Sequence, residues 1–148
     1  MLKRRSGFTI IELAIVIGIF LVMIAALTPF VRMVRQHAHA IACAGNLRQI
    51  SLGLHRFASD NNGVFPQDLG ALYPAYVKDE KAFDCPATKN TGAPDKPDYD
   101  YVAGLTERSP QDQVIAYDAS GNHKDRGRNI LRVNGSVEWV RKGEGGPG

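Results

Sequence analysis

The sequence predicts an α+β protein, with one long N-terminal helix, half membrane and half amphipathic, packed on a small C-terminal antiparallel β-sheet. Three observations carry this expectation. Leu13–Val31 is an uncharged run of 19 residues, and at about 1.5 Å per residue it crosses most of a roughly 30 Å hydrocarbon core. Cys43, Leu47, Ile50, Leu54 and Phe57 recur at alternating four- and three-residue steps, the stripe of one helical face. The chain closes with short segments rich in β-branched and aromatic residues, the last two separated by Asn134-Gly135, a strong hairpin signal.

Lys3, Arg4 and Arg5 stand before the apolar run, and from Phe8 to Val31 the only ionisable side chain is Glu12. A carboxylate at bilayer depth is costly and is by default functional and partnered. An ordinary cleaved signal would have an apolar stretch of about 7–15 residues and a small-x-small site; Ile24-Ala25-Ala26-Leu27 is a poor one. A plain signal anchor explains the cations and the apolar run but not Glu12. Past Val31 the amphipathic stripe continues the helix to about Ser59, with Arg48, Gln49, His55 and Arg56 off the stripe. Pro29 is its one interior break, since proline removes a backbone donor. Asp60-Asn61-Asn62-Gly63 supplies the stop, Gly63 or an asparagine taking the left-handed conformation of a helix end.

Val64–Pro97 reads as a connecting loop rich in Pro, Gly and Asp. Pro66–Pro74 contributes one or two helical turns that lay Leu69 and Leu72 against the long helix. Strands are expected at Tyr99–Leu105, Gln113–Asp118, Ile130–Val133 and Ser136–Val140. The turn between the last two is expected to be type I′, with positive φ at both Asn134 and Gly135.

At 148 residues there is room for one small domain beyond the membrane segment. The formal charge of +3 is a property of the first seven residues: without Lys3, Arg4 and Arg5, 15 basic side chains face 15 acidic ones. Bulk charge therefore gives no argument for nucleic acid as a partner. The same cations orient the N-terminus to the cytoplasm by the positive-inside rule, an asymmetry weakened by Arg32 and Arg35. The remainder then lies where disulfides persist. Cys43 and Cys85 are expected to form one, stapling the loop to the helix; the alternative is an apolar seam residue and an incidental loop thiol. A zinc site is not expected from two cysteines so far apart, and no Cys-x-x-Cys is present.

The N-terminal segment Arg4-Arg5-Ser6-Gly7-Phe8-Thr9-Ile10-Ile11-Glu12-Leu13 resembles that of type IV prepilins and type II secretion pseudopilins, of the major-pseudopilin type. The resemblance implies a pilin fold, a leader of residues 1–7 cut after Gly7 by prepilin peptidase, and N-methylation of Phe8. It implies a transmembrane and assembly helix over 8–31, a periplasmic globular domain over 32–142, and leaves a Gly-rich tail, 143–148, expected to be disordered. Pro29 falls where the family often has a helix-kinking proline. The C-terminal part resembles a pseudopilin-like group through Cys43-Ala44-Gly45-Asn46-Leu47-Arg48-Gln49-Ile50, Cys85-Pro86, Asp118, His123 and Asn134-Gly135-Ser136-Val137. It departs at Asn134, where the group usually has Asp.

The resemblance implies a structural subunit and not an enzyme. Its partners would be prepilin peptidase, further copies in a helical fibre, other pseudopilins and an inner-membrane assembly platform. Its place would be the inner membrane, single-pass with the C-terminal domain periplasmic, and a fibre after assembly. Glu12, the fifth mature residue, would meet the amine of a neighbouring Phe8 when membrane helices bundle. Thr9 and Gly18 would be packing positions. Several pseudopilins bind calcium near the C-terminus, so Asp112, Asp118, Ser120 and Asp125 are candidate calcium ligands, although no EF-hand spacing is present. His37, His39, His55 and His123 are too scattered in sequence to define a metal set, and no nucleophile context accompanies Asp118 and His123. The competing function is a membrane-anchored monomeric binding module, its ligand a protein or DNA met by Arg126, Arg128, Arg132, Arg141 and Lys142.

Overall fold

The computed structural model describes residues 9–88, 91–123 and 126–143. Gly7, Phe8 and Asp125, and the tail beyond Gly143, lie outside them. The chain divides into two units, Met1–Arg35 and Gln36–Gly148.

The first unit is the N-terminal part of helix α1, Ile10–Asp60. The Thr9 hydroxyl accepts the Glu12 backbone N–H at 3.3 Å, and its carbonyl accepts that of Leu13. Thr9-x-x-Glu12 is thus the start of a capping box, which satisfies a donor that the first turn would otherwise leave open. Every described residue through Arg35 is exposed, including Leu13, Phe20, Val22, Ile24 and Phe30. Pro29 sits inside the helix, and the adjacent Thr28 hydroxyl donates to the Ile24 carbonyl at 2.8 Å.

In the second unit α1 turns amphipathic. Cys43, Leu47, Ile50, Gly53, Leu54 and Ala58 are buried. Phe57, the last expected stripe position, is only partly buried and meets the Tyr76 ring edge-on at 5.3 Å. The helix ends as its residues require: Asn62 and Gly63 both take positive φ, 56° and 81°, and the Gly63 N–H closes on the Ala58 carbonyl at 2.7 Å.

Two 3₁₀ turns fold the connection onto the helix. Leu69–Leu72 is capped by Asp68 and buries both leucines. Glu80–Phe83, capped by Asp79, buries Ala82 and Phe83 and is not foreshadowed by the sequence pattern.

The sheet is a meander of four antiparallel strands in sequential order: β1 Tyr99–Tyr101, β2 Val114–Asp118, β3 Gly127–Arg132 and β4 Val137–Arg141. β1 is shorter than expected because Gly104, at φ 82°, redirects the chain. Leu105 then accepts the Phe65 N–H, and Thr106 bridges to Val64 instead of continuing in the sheet. β3 starts earlier than expected because Gly127, Arg128 and Asn129 pair with Arg141, Val140 and Trp139. The hairpin forms, but not with the expected turn. Asn134 does not take positive φ; Gly135 does, at 82°. The Gly135 N–H returns to the Arg132 carbonyl, which fits a type I turn followed by a left-handed glycine. Phe65, Phe83, Leu47, Ile50, Leu54, Leu72, Ile115 and Leu131 form the core between helix, loop and sheet.

Candidate functional site

Two places bear chemistry, one in each unit. In the first, Glu12 stands in the opening turn of α1. An acid there complements the positive end of the helix dipole, a local role in addition to any partner on another chain. A Cβ on Gly18 would meet no atom within 4 Å, so that face is open to close approach. Thr9 is engaged as the helix cap.

In the second unit, four chemistry-bearing side chains from distant sequence positions converge in the interior. Cys43 on α1 and Cys85, two residues past the second 3₁₀ turn, are joined as a disulfide with Cα atoms 5.5 Å apart. Asp118 is the last residue of β2 and His123 follows in the β2–β3 loop. One donor atom from each of the four lies within 4.8 Å of all the others. Cys43 and Cys85 are fully buried, Asp118 is 1% exposed and His123 9%.

The fold holds this cluster from three sides. Asn46, one turn beyond Cys43 on the same helical face, donates to the Asp84 carbonyl at 2.7 Å and to the Tyr99 hydroxyl at 3.1 Å. It thereby seats the backbone just before Cys85 on the helix. Asp98 clamps two loops at once. Its carboxylate accepts the Cys85 N–H at 3.0 Å and the Thr88 hydroxyl at 2.9 Å, while its carbonyl accepts the Ala119 N–H and the Asn122 side chain. Asn129 on β3 ties sheet to helix. Its side-chain amide donates to the Ala40 carbonyl at 3.0 Å and to Asp118 Oδ2 at 2.8 Å, and its backbone N–H reaches the same oxygen at 2.7 Å.

His123 Nε2 also lies 2.9 Å from Asp118 Oδ2. That oxygen is therefore crowded with partners, while Asp118 Oδ1, equally buried, has no hydrogen-bond partner among the described residues. Such an orphan in the interior calls for an explanation. The His123 ring packs edge-on against Trp139 of β4, 5.3 Å between centroids. Burial pushes the Tyr99 phenol well above its ordinary value, the Asn46 amide opposing and Asp118, Asp98 and Asp84 adding to the rise.

The same ring nitrogen that meets Asp118 also approaches Cys85 Sγ, at 3.9 Å. A nucleophile–base–orienter relay needs the two ring nitrogens to serve different partners, so this is not the geometry of one. The four side chains are of the types that can ligate a metal, two of them here joined as a disulfide.

Of the calcium candidates, Asp118 and Ser120 line one surface pocket, and Asp125 lies outside the described residues. Asp112 precedes β2 and Asp118 ends it; Asp112 and Ser120 are exposed while Asp118 points into the core. The basic residues of the competing binding reading are partly engaged. Arg132 pairs with Glu138 and donates to the Asp112 carbonyl, and Arg128 lies over the Tyr117 ring at 5.3 Å. Sequence spacing missed the cluster because its members are separated by 42, 33 and 5 residues. The available signal was the C-terminal resemblance, which named all four positions without placing them together.

Residues 2–28 match the family model of the prokaryotic N-terminal methylation motif. The chain carries a prepilin-like processing signal. This signal makes it a prepilin-like substrate of prepilin peptidase, and the apolar helix near the N-terminus, with a mean hydropathy of 2.9 over its most apolar window, fits a single-pass membrane anchor. No curated protein and no solved structure matches the chain.

Proposed function

We propose that this protein is a structural pilin-like subunit, cut between Gly7 and Phe8, methylated at Phe8 and assembled through residues 8–31 into a type II secretion pseudopilus or type IV pilus-like fibre. The observation that carries the reading is the methylation motif at residues 2–28, with a helical segment through Arg35 whose apolar side chains all lie exposed. An apolar surface of that size needs lipid or other helices to cover it, and a fibre core of packed N-terminal helices supplies the second. Glu12 is then the partner of a neighbouring subunit's Phe8 amine, an ion pair strengthened by the low dielectric of the bundle. Before assembly the subunit rests in the inner membrane with the second unit in the periplasm. There it meets other pseudopilins and the assembly platform, and a Cys43–Cys85 disulfide suits that oxidising compartment.

The test is to shear fibres from cells and determine the N-terminus of this chain in the sheared fraction. The reading expects Phe8, methylated, in polymeric material. An uncleaved Met1, a cut near Ala26, or a processed chain found solely as a membrane monomer would overturn it.

A further inference from the structure

We propose that, with Cys43 and Cys85 as thiols, the buried set Cys43, Cys85, Asp118 and His123 is a four-ligand site for a divalent transition metal of the zinc type, alternative to the disulfide. The donor set is two sulfurs, one imidazole nitrogen and one carboxylate oxygen, the chemistry and number that tetrahedral zinc takes. A tetrahedral ion with bonds of about 2.0–2.3 Å holds its ligands roughly 3.3–3.8 Å apart. The four donor atoms already lie within 4.8 Å of one another; on reduction the two sulfurs, now bonded to each other, part to that spacing while the more distant donors draw in by about an ångström.

A second observation points to a ligand independently of the clustering. Asp118 is 1% exposed and its Oδ1 has no hydrogen-bond partner among the described residues. Meanwhile Oδ2 is fixed by the Asn129 backbone and side chain at 2.7 and 2.8 Å. A carboxylate held at one oxygen by its outer partners, with the other oxygen buried and unengaged, has an acceptor free for single-oxygen ligation. His123 Nε2 now bonds that carboxylate at 2.9 Å and needs only to exchange this contact for the ion.

Coordination makes the disulfide and the metal mutually exclusive. The ion binds thiolate sulfur; the reduced site supplies two thiolates, and the disulfide form supplies none. A phosphine reductant and water convert the disulfide to two thiols, the phosphine leaving as its oxide, and the ion then displaces one proton from each thiol. Either state would tie the Cys85 loop to α1. The inference does not depend on fibre assembly.

The test uses the full chain in detergent, reduced with a phosphine that is then removed, and titrated with Co2+ as a spectroscopic probe. The expected result is one Co2+ per chain, with thiolate-to-cobalt charge transfer and the intense d–d bands of a tetrahedral site, both displaced by Zn2+ and both absent from the oxidised chain. Asp118→Asn and His123→Ala should each weaken binding by more than the roughly 10- to 100-fold that loss of an outer partner costs. His123→Cys, which restores a ligand, should retain a tetrahedral spectrum. X-ray absorption of the Zn2+-loaded, unmutated chain should count two sulfurs and two lighter ligands, a readout that stands even if the variants fail to fold. A reduced chain with its helical circular dichroism intact that binds no Co2+ would overturn the proposal. So would affinity unchanged in both variants, or a shell without two sulfurs.

Discussion

Two glycines of α1 show how a residue's neighbours decide the sign of one substitution. Around Gly45 a Cβ would meet nothing within 4 Å, whereas at Gly53 it would lie 2.5 Å from Val77 Cγ2 with Leu72 and Tyr76 behind. Val77 has little room to retreat, because its N–H and that of Tyr76 are both held by the Leu72 carbonyl at 2.9 Å. Gly45→Ala is therefore expected to stabilise the second unit by up to about 1 kcal/mol through helix propensity. Gly53→Ala is expected to destabilise it, since overpacking costs roughly 1–3 kcal/mol against the same gain. Urea midpoints of the two variants beside the unmutated chain check the opposite signs.

Tyr101 is one of two tyrosines whose burial sets an alkaline limit. Its hydroxyl donates to the Pro66 carbonyl at 2.7 Å, and burial, with Asp68 nearby, pushes the phenol up to about 12 from 10.0. The folded state holds the proton more tightly than the unfolded chain. Its contribution is thus complete below pH 10 and is lost as the pH rises toward 12. Tyr99 adds a loss of the same sign. Urea midpoints across that window should fall, and less steeply in Tyr101→Phe; an equal slope would remove Tyr101 from the explanation.

At the scale of an element, α1 carries opposing demands on Glu12. Insertion into lipid is easier without a charge, while the first helical turn gains about 0.3–1 kcal/mol from an acid and, in the proposed fibre, assembly would gain a partner for the Phe8 amine. Glu12→Ala is expected to leave the protein cleaved and membrane-inserted but to lower the yield of sheared fibre at equal membrane abundance. Wild-type fibre yield would show that the inter-subunit pair does not drive assembly, and loss of mature protein would point to the helix start instead. The capping pattern Thr9-x-x-Glu12 is contiguous in the sequence but masked there by the apolar run around it, which points to the membrane rather than to a helix end.

For the whole molecule, the covalent link between positions 43 and 85 constrains the second unit. Closing a loop over a separation of 42 residues is worth about 4 kcal/mol in the chain-entropy model, with measured bridges at about 2–4 kcal/mol. Peptide mass spectrometry under non-reducing conditions should recover the crosslinked pair from exported protein; free thiols at both positions would refute it. Reduction in the presence of a chelator should lower the unfolding midpoint of the second unit, while the membrane helix, which shares none of that core, keeps its signal.

The long helix, its stop at Asn62-Gly63, the leucine pair Leu69 and Leu72 and the existence of a terminal hairpin were legible from residue order, because each follows from periodicity or from backbone preference within a few positions. The methylation motif was legible for the same reason, being contiguous. Strand limits were not: Gly104 redirects β1, and the polar Gly127-Arg128-Asn129 becomes strand only because β4 pairs with it, a matter of hydrogen bonds between segments. The turn at Asn134-Gly135 likewise took its form from the register of β3 and β4 rather than from the dipeptide. The cluster of Cys43, Cys85, Asp118 and His123 was the least legible. Its members come from a helix, a loop, a strand end and a second loop, and what unites them is the packing arranged by Asn46, Asp98 and Asn129, whose hydrogen bonds span 10 to 89 residues of sequence. Local order determines which elements form, since it acts through neighbouring dihedrals and side-chain spacing; which distant groups share one desolvated space is decided only when those elements close on a common core.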